Sequence, residues 1–215
     1  MDYSEHKKHF EIAYKTGTDF WTRSSVELLK REKLITRLPQ GAHILDIGSG
    51  RGLLAKHLAK MGFQVVGLDF EKNIVEKNNS EIKDWGLLGK LKFIEGDALK
   101  IPFANESFDA VCDLGLFETL YKEDWPTYAS EINRVLKPKG LYLNVSLSRK
   151  TEKFFEFSPI NSKDGEFQKH GIHYHFFEKT EIENIFNNYF KIESQDVEFT
   201  KKDRELAFLK TLFRK

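Results

Sequence analysis

The chain has 215 residues, of which 34 are Lys or Arg and 33 are Asp or Glu, so its formal net charge is +1. This balance excludes a uniform field that would attract nucleic acid or an anionic membrane, and the single cysteine, Cys112, excludes an internal disulfide. A charged N-terminus without an apolar run argues against a signal peptide or a membrane span. We therefore expect a cytoplasmic protein with one domain over residues 1–215.

The first forty residues are predicted to form a helical, lid-like segment. Ser25 is placed to cap a helix over residues 26–38, and Pro39 follows that helix. The stretch that precedes it carries Trp21 and has no place in a sheet. We expect Trp21 and this stretch to close over a ligand.

Residues 41–147 alternate between strand-like and helical patterns. The predicted strands are 43–47, 64–69, 91–96, 108–113 and 141–147. The helix before the last of these strands is expected to stop at Pro138 and Gly140. Such alternation implies parallel pairing with helices on both faces of the sheet.

The rest of the chain follows a different pattern. Residues 148–175 have few helix or strand signals and are predicted to be a loop-like insertion. Residues 176–215 contain a predicted helix, for which Thr180 and Glu183 have capping-box spacing. Two strand-like runs then follow, close enough together for an antiparallel hairpin.

The segment HILDIGSGRG, residues 43–52, leads a buried strand into glycines and then a helix. This arrangement directs backbone N–H groups at a ligand beside the strand end. Gly48, Gly50 and Gly52 do not have the G-x-G-x-x-G spacing of dinucleotide sites, and no Lys-Ser or Lys-Thr follows for a P-loop. Asp46 is placed to face a cationic group.

Two further acids end the next two strands. Asp69 could accept hydrogen bonds from ribose hydroxyls or cap the following helix. Asp97 could accept from an adenine amine or stabilise a turn. Three acids at successive strand ends together predict a slot for a nucleoside.

These motifs resemble the class I S-adenosylmethionine-dependent methyltransferases that act on small molecules. LDIGSGRG is similar to the family's glycine motif, VVGLDF to its ribose-binding segment, and GDALKIPF to its adenine-contacting segment. ESFDAV and EINRVLKPKGLYL are similar to its fourth and fifth strands. The resemblance implies a three-layer, Rossmann-like α/β sandwich whose seven-stranded sheet is mostly parallel and ends in an antiparallel hairpin. It also implies S-adenosyl-L-methionine as the cofactor, bound by residues 41–147.

The resemblance further implies individual cofactor contacts. It assigns the methionine part to Asp46, Gly48 and Gly50, the ribose to Asp69, the adenine to Phe70, Asp97 and Ala98, and the sulfonium and methionine amine to Asp113 and Leu114. Ser49, within the glycine loop, is a further predicted cofactor contact. The sequence departs from the family at Lys139, where glycine is frequent, and at Thr119, where histidine often follows the glutamate.

No catalytic residue is required by this chemistry, because a sulfonium is already an activated methyl donor. Asp113, Glu118 and Tyr121 are candidates by position. We interpret Glu118 as a solvated carboxylate at a helix start.

The acceptor is predicted to be a small molecule with an O, N or S nucleophile. DLGLF replaces the Asn/Asp-Pro-Pro-Tyr/Phe motif of relatives that methylate amino groups of adenine or glutamine, and no basic, aromatic-interleaved patch is present. We therefore expect neither nucleic acid nor a membrane as a partner. Acceptor walls are expected near Trp21 and within residues 148–175. The aromatic run Phe154, Phe155 and Phe157 could line the acceptor pocket, but we interpret it as packing.

Three histidines, His170, His173 and His175, raise the alternative of a metal site. No supporting carboxylate can be assigned to them from the sequence, and strand-like alternation separates His170 from the other two. We predict no metal and interpret the imidazoles as pocket lining or surface groups.

Two other functions compete with methyl transfer. One is an NAD-dependent oxidoreductase on a similar fold, which the glycine spacing disfavours. The other is a non-catalytic regulator that binds S-adenosylmethionine.

Overall fold

The computed structural model describes residues 2–18, 33–151, 157–199 and 206–215. Trp21, Ser25, Phe154 and Phe155 lie outside these ranges, so the expectations for them stay predictions.

Helices and strands alternate through the first two thirds of the described residues, as the two sequence periodicities predict. The helices are α1 (Ser4–Thr16), α2 (Lys33–Arg37), α3 (Leu53–Lys60), α4 (Lys72–Glu81), α5 (Trp125–Val135) and α6 (Lys179–Phe186). The strands are β1 (His43–Ile47), β2 (Gln64–Asp69), β3 (Leu91–Glu95), β4 (Phe108–Leu114), β5 (Leu136–Leu147), β6 (Ser158–Asn161), β7 (Glu166–Lys169), β8 (Ile172–His175), β9 (Lys191–Phe199) and β10 (Ala207–Arg214).

Seven strands form one sheet in the order β3-β2-β1-β4-β5-β10-β9. The first five pair in parallel, whereas β10 runs antiparallel to both β5 and β9. The predicted mostly parallel sheet with an antiparallel C-terminal hairpin is confirmed. Because the order reverses at β1 and β4, the carboxyl ends of these strands open a crevice at one edge of the sheet.

Helices cover both faces of this sheet. Ile44 and Leu45 are adjacent in β1, and each is fully buried in a different apolar cluster. The cluster around Ile44 contains residues of α3 and α4, and the cluster around Leu45 contains residues of α5 and α6. The sheet therefore lies between two layers of helices, which confirms the predicted three-layer sandwich.

The expectation of a loop-like insertion over residues 148–175 is wrong. β6, β7 and β8 form a separate antiparallel sheet, and its aromatic side chains pack with Leu147 at the end of β5. Phe157 is buried there, 5.2 Å from the rings of both Tyr174 and Phe176. Packing is therefore the role that the structure gives to Phe157.

Two predicted boundaries also change. Glu178 and Glu181, not Thr180 and Glu183, form the capping box of α6. α5 ends at Val135 and β5 begins at the next residue, so Pro138 and Gly140 lie within the strand and not in a turn after the helix.

Lys139, where the family often has glycine, adopts a φ of 66°. This is a conformation that glycine tolerates better than residues with a Cβ.

Candidate cofactor and acceptor site

The glycine loop after β1 is held by the neighbouring strand β2. The N–H groups of Gly48 and Ser49 both donate to the Leu68 carbonyl oxygen, at 2.8 and 3.0 Å. Gly48 and Gly50 have φ values of 69° and 48°. A Cβ at Gly48 would lie 2.8 Å from Cδ1 of Leu116, so this position excludes larger residues on steric as well as conformational grounds.

Asp69, at the end of β2, binds this loop directly. Its Oδ2 accepts from the Gly50 N–H at 2.8 Å, and its Oδ1 accepts from the Glu71 N–H at 3.0 Å. The side chain that caps α4 is Glu71, so the capping alternative for Asp69 is wrong. Burial raises the pKa of Asp69 to about 6.

Asp46 and Ser49 bring polar atoms into the same region without partners. Among the described residues, neither Oδ2 of Asp46 nor Oγ of Ser49 has a hydrogen bond, although both atoms are buried. Burial, and to a lesser extent the charges of Asp69 and Asp113, raise the pKa of Asp46 to about 8. Unsatisfied buried acceptors of this kind fit a ligand that brings donors or positive charge.

Asp113 is turned into the fold. Its Oδ2 accepts from the Tyr128 hydroxyl at 2.6 Å, and its Oδ1 accepts from the Leu116 N–H at 2.9 Å. The Asn144 amide donates to Oδ2 at 3.4 Å, and burial raises the pKa of Asp113 to about 6. Leu114 is half-buried against the apolar cluster on the α3 side of the sheet. The carboxyl of Asp113 therefore organises the end of β4, which is a poor arrangement for a catalytic base.

A cleft of about 660 Å³ begins at Phe70, the residue after Asp69, and is lined further by residues at the end of β3 and in the turn after β4. Phe70, Asp97 and Ala98 all line it, and Asp97 Oδ1 also accepts from the Leu99 N–H at 2.8 Å, so the turn role of Asp97 is present. The cleft is also lined by residues at the start of α1 and in the turn after β4: Tyr3, His6, Lys7, Phe10, Leu116, Thr119 and Leu120.

Helix α1 lies over the predicted adenine position and the glycine loop. The Phe10 ring packs edge-on against Phe70 with centroids 5.8 Å apart, and Nζ of Lys7 lies 5.9 Å from the Phe70 centroid. Further along α1, the Tyr14 hydroxyl would be 2.8 Å from a Cβ at Gly50. The helix is thus a wall of the cleft.

The two remaining catalytic candidates follow β4. Glu118 is buried, with Oε2 accepting from the Leu147 N–H at 3.2 Å, so its interpretation as a solvated carboxylate is wrong. Burial, with a smaller contribution from Asp113, raises the pKa of Glu118 well above its usual range. Tyr121 is half-buried, and its ring stacks on His173 at 5.3 Å.

The three histidines of the metal hypothesis point to different partners. His170 is exposed and stacks on His9, His173 stacks on Tyr121, and Nε2 of buried His175 lies 2.8 Å from Oε1 of Glu181. Within the described ranges, no group of three or more His, Cys, Asp or Glu side chains is arranged to hold a metal ion.

The sequence reasoning missed the contribution of α1. His6 and Ala13 are the buried residues of this helix, and Phe10 and Tyr14 are half-buried. A helical stripe in the sequence could have identified the buried face of α1, because its members are spaced by four, three and one residues: His6, Phe10, Ala13 and Tyr14.

Comparison with known proteins finds a methyltransferase domain in part of the chain. Residues 44–140 match the family profile of the methyltransferase domain. The predicted resemblance to S-adenosylmethionine-dependent methyltransferases is confirmed over these residues. The match begins at β1 and ends within β5, so it covers the glycine loop and every strand end that borders the cleft.

Two curated methyltransferases are similar over parts of their length. The sterol 24-C-methyltransferase of Gibberella zeae is 38% identical over 103 residues, which are 47% of this chain and 27% of that protein. The ubiquinone/menaquinone biosynthesis C-methyltransferase of Pseudomonas fluorescens is 31% identical over 156 residues, 66% of this chain and 57% of that protein. The chain therefore spans at most somewhat over half the length of these two methyltransferases.

A solved methyltransferase shares the fold over nearly the whole chain. The 1,6-didemethyltoxoflavin-N1-methyltransferase of Burkholderia thailandensis, solved with 1,6-didemethyltoxoflavin and S-adenosylhomocysteine bound, superposes with a TM-score of 0.79. The alignment covers 99% of this chain and 88% of that protein at 18% identity. In the part of this chain that the structure describes, no helix is long and apolar enough to cross a bilayer.

Proposed function

We propose that this chain binds S-adenosylmethionine in the cleft and transfers its methyl group to a small organic molecule. The methyltransferase-domain match over residues 44–140 supports the reaction class, and the buried acidic groups of the site support a positively charged cofactor. The observation that carries the proposal is a set of buried carboxyls at one edge of the sheet: Asp46, Asp69, Asp113 and Glu118.

Within the described part of the chain, these carboxyls lack a cationic partner. No described Lys or Arg forms an ion pair with any of the four, and burial raises the pKa of each. A ligand with a sulfonium and an ammonium group would supply the missing positive charge. The anionic pyrophosphate of NAD would instead add repulsion, so the electrostatics favour S-adenosylmethionine over the oxidoreductase alternative.

Several residues fit this cofactor. Asp46 and Ser49 have buried oxygen atoms without hydrogen bonds, and Asp69 has lone pairs left for ribose hydroxyls after its two backbone bonds. Phe70 and the backbone of Ala98 would hold the adenine ring. When bound, S-adenosylmethionine supplies an electrophilic methyl group on a positively charged leaving sulfur.

The residues of the chain then act by positioning and by excluding water. α1 covers Phe70 and the glycine loop, and the turn after β4 closes the other side, so the cleft fixes the direction of approach. Asp113 shapes that turn through the Leu116 N–H. A base is needed only for an acceptor that must first lose a proton.

The atom that accepts the methyl group is carbon, O, N or S in this proposal. Both curated relatives are C-methyltransferases by name, and the solved relative is named as the N1-methyltransferase of 1,6-didemethyltoxoflavin. We extend the expected acceptors accordingly and keep the proposal of a small molecule.

Calorimetric titration tests the cofactor. We expect S-adenosylmethionine and S-adenosylhomocysteine to bind and NAD not to bind; binding of NAD alone would overturn the proposal. Transfer of radiolabelled methyl groups to a metabolite panel that includes carbon nucleophiles then tests catalysis. Cofactor binding without transfer to any member would support the non-catalytic regulator.

A further inference from the structure

His6 is a buried imidazole whose two nitrogens have no hydrogen-bond partner in the part of the chain that the structure describes. The side chain lies near the start of α1 and is 2% exposed. Neither Nδ1 nor Nε2 has a hydrogen bond among the described residues, and the backbone of Thr119 faces the ring without meeting hydrogen-bond geometry. Leaving buried polar atoms without hydrogen bonds destabilises the fold, which favours a ligand as the missing partner.

The surroundings of this imidazole are aromatic and preorganised. The ring packs edge-on against Tyr3 and Tyr121, with centroids 5.2 and 5.6 Å away. The Tyr3 hydroxyl accepts from the Tyr121 N–H at 3.1 Å and donates to Asp124 at 2.9 Å, which ties the start of α1 to the turn after β4. His6 is therefore held in place before any ligand arrives.

The imidazole is neutral at physiological pH. Burial chiefly, and the positive charges that His173 and His9 would carry, lower the pKa of His6 to about 4. A neutral imidazole offers one N–H donor and one nitrogen acceptor, so it suits an uncharged polar group.

Position in the cleft separates His6 from the predicted adenine contacts. Phe70, Asp97 and Ala98 come from the ends of β2 and β3, whereas His6 packs on the turn after β4, beside Thr119 and Tyr121. An acceptor would approach from the side of the turn after β4, because in the proposed function the cofactor occupies the ends of β1 to β3.

The charged residues that line the cleft further limit the chemical class of the acceptor. Asp2, Glu95 and Asp97 line the cleft with Lys7 as the only Lys or Arg among its described lining residues. An anionic acceptor would be repelled, whereas a flat conjugated ring would match the aromatic walls.

We propose that His6 is the polar anchor of the acceptor subsite, and that the acceptor is a neutral, flat, conjugated molecule with a hydroxyl or similar hydrogen-bonding substituent. This inference rests on the proposed methyltransferase function. His6 acts as a binding and specificity residue, and the methyl-transfer step needs no proton from it.

The test uses three ring compounds of matched shape on protein saturated with S-adenosylhomocysteine. We expect calorimetry to detect 2-naphthol, with naphthalene and anionic 2-naphthoate at least about fivefold weaker. His6→Phe keeps an aromatic ring and removes both nitrogens, so it should weaken 2-naphthol binding about three- to tenfold, the range for one neutral hydrogen bond. Naphthalene and S-adenosylhomocysteine should bind this variant as they bind the wild type.

Two further variants control the experiment. His6→Gln retains a donor and an acceptor and should restore most of the 2-naphthol affinity. His43→Gln alters an exposed histidine at the N-terminal end of β1, away from the carboxyl ends of the strands. This variant should bind the ring compounds and S-adenosylhomocysteine with wild-type affinity.

The contrary outcomes are distinct. If wild type binds S-adenosylhomocysteine but not 2-naphthol, or binds naphthalene equally well, the subsite is overturned and the proposed function stands. If His6→Phe loses S-adenosylhomocysteine affinity in proportion, His6 is a cofactor contact and the subsite assignment is wrong. If wild type does not bind S-adenosylhomocysteine, the proposed function fails, and the subsite fails with it.

Discussion

Oδ2 of Asp69 accepts a 2.8 Å hydrogen bond from the backbone N–H of Gly50. The carboxylate that the family resemblance assigns to the ribose therefore also holds the glycine loop in place. Its second oxygen accepts from the Glu71 N–H, so one side chain connects β2, the loop and the start of α4. Substitutions at Asp69 will consequently affect folding as well as binding.

Asp69→Ala should weaken S-adenosylhomocysteine binding by roughly 1.5–3 kcal/mol, the range for hydrogen bonds to a charged group. It should also lower the free energy of unfolding, because the Gly50 and Glu71 N–H groups lose their acceptor. Calorimetry and urea unfolding measure the two effects, with exposed Asp84→Ala as the matched control. A folded Asp69→Ala protein with unchanged affinity would remove Asp69 from the site.

Asp46 should release a proton when S-adenosylmethionine binds. Its pKa of about 8 means that the free protein holds this proton at pH 7, and a bound cation favours the ionised form. Affinity should therefore rise as the pH increases from 6 towards 8, by at most about tenfold per unit.

Titration in buffers of different ionisation enthalpy counts the released protons. Asp46→Asn should lower this count, since the titration of the ligand's own amine is common to both proteins. Equal proton release by wild type and variant would mean that the protonation of Asp46 does not change when the cofactor binds.

Glu118→Gln should stabilise the protein at alkaline pH. The raised pKa means that folded Glu118 retains its proton where the unfolded chain has lost it, so this group's contribution to stability declines as the pH rises above the ordinary glutamate pKa. The amide oxygen of Gln can still accept from the Leu147 N–H. The free energy of unfolding of the variant should exceed that of wild type at pH 8 and approach it at pH 4.5.

The same variant tests catalysis by Glu118. We expect turnover of an identified acceptor to change less than about fivefold, because Glu118 supports the end of β5. A loss of 10²–10⁴, the usual contribution of general acid–base catalysis, with unchanged cofactor affinity would instead make Glu118 the base.

Phe10→Ala should weaken S-adenosylhomocysteine binding by roughly 1 kcal/mol, about fivefold, because the Phe10 ring packs on Phe70 beside the predicted adenine position. Ile12→Ala on the exposed face of the same helix is the control, since Ile12 is 51% exposed. Equal affinities of the two variants would show that α1 does not contribute to the cofactor site.

The lid prediction for Trp21 can be tested by fluorescence. Wild-type emission should respond to S-adenosylhomocysteine, and Trp21→Phe should lose most of this response if the segment closes over the cofactor. A full response from the variant would assign the signal to Trp85 or Trp125, and the lid would lose its support.

Local pattern was sufficient to predict the strands that build the site. β1 and β2 have the predicted bounds, and the third and fourth differ by a single residue. Their apolar runs are short and end at glycine or aspartate, so the signal for each strand lies within a few residues. The same local features predict the nucleoside slot, because a strand end, its glycines and its acid are neighbours in sequence, whereas S-adenosylmethionine is what the family resemblance of these motifs implies.

The sequence by itself determined the parallel sheet, the glycine loop and the acids at the strand ends, because each depends on residues close together in the chain. Only the tertiary structure decided that Glu118 is buried, that Asp113 faces Tyr128, and that α1 brings His6 to the turn after β4. These three facts depend on contacts between residues distant in sequence. Burial, and with it the protonation of a carboxyl or an imidazole, is fixed by whatever segment covers the group, and no local pattern records which segment that will be.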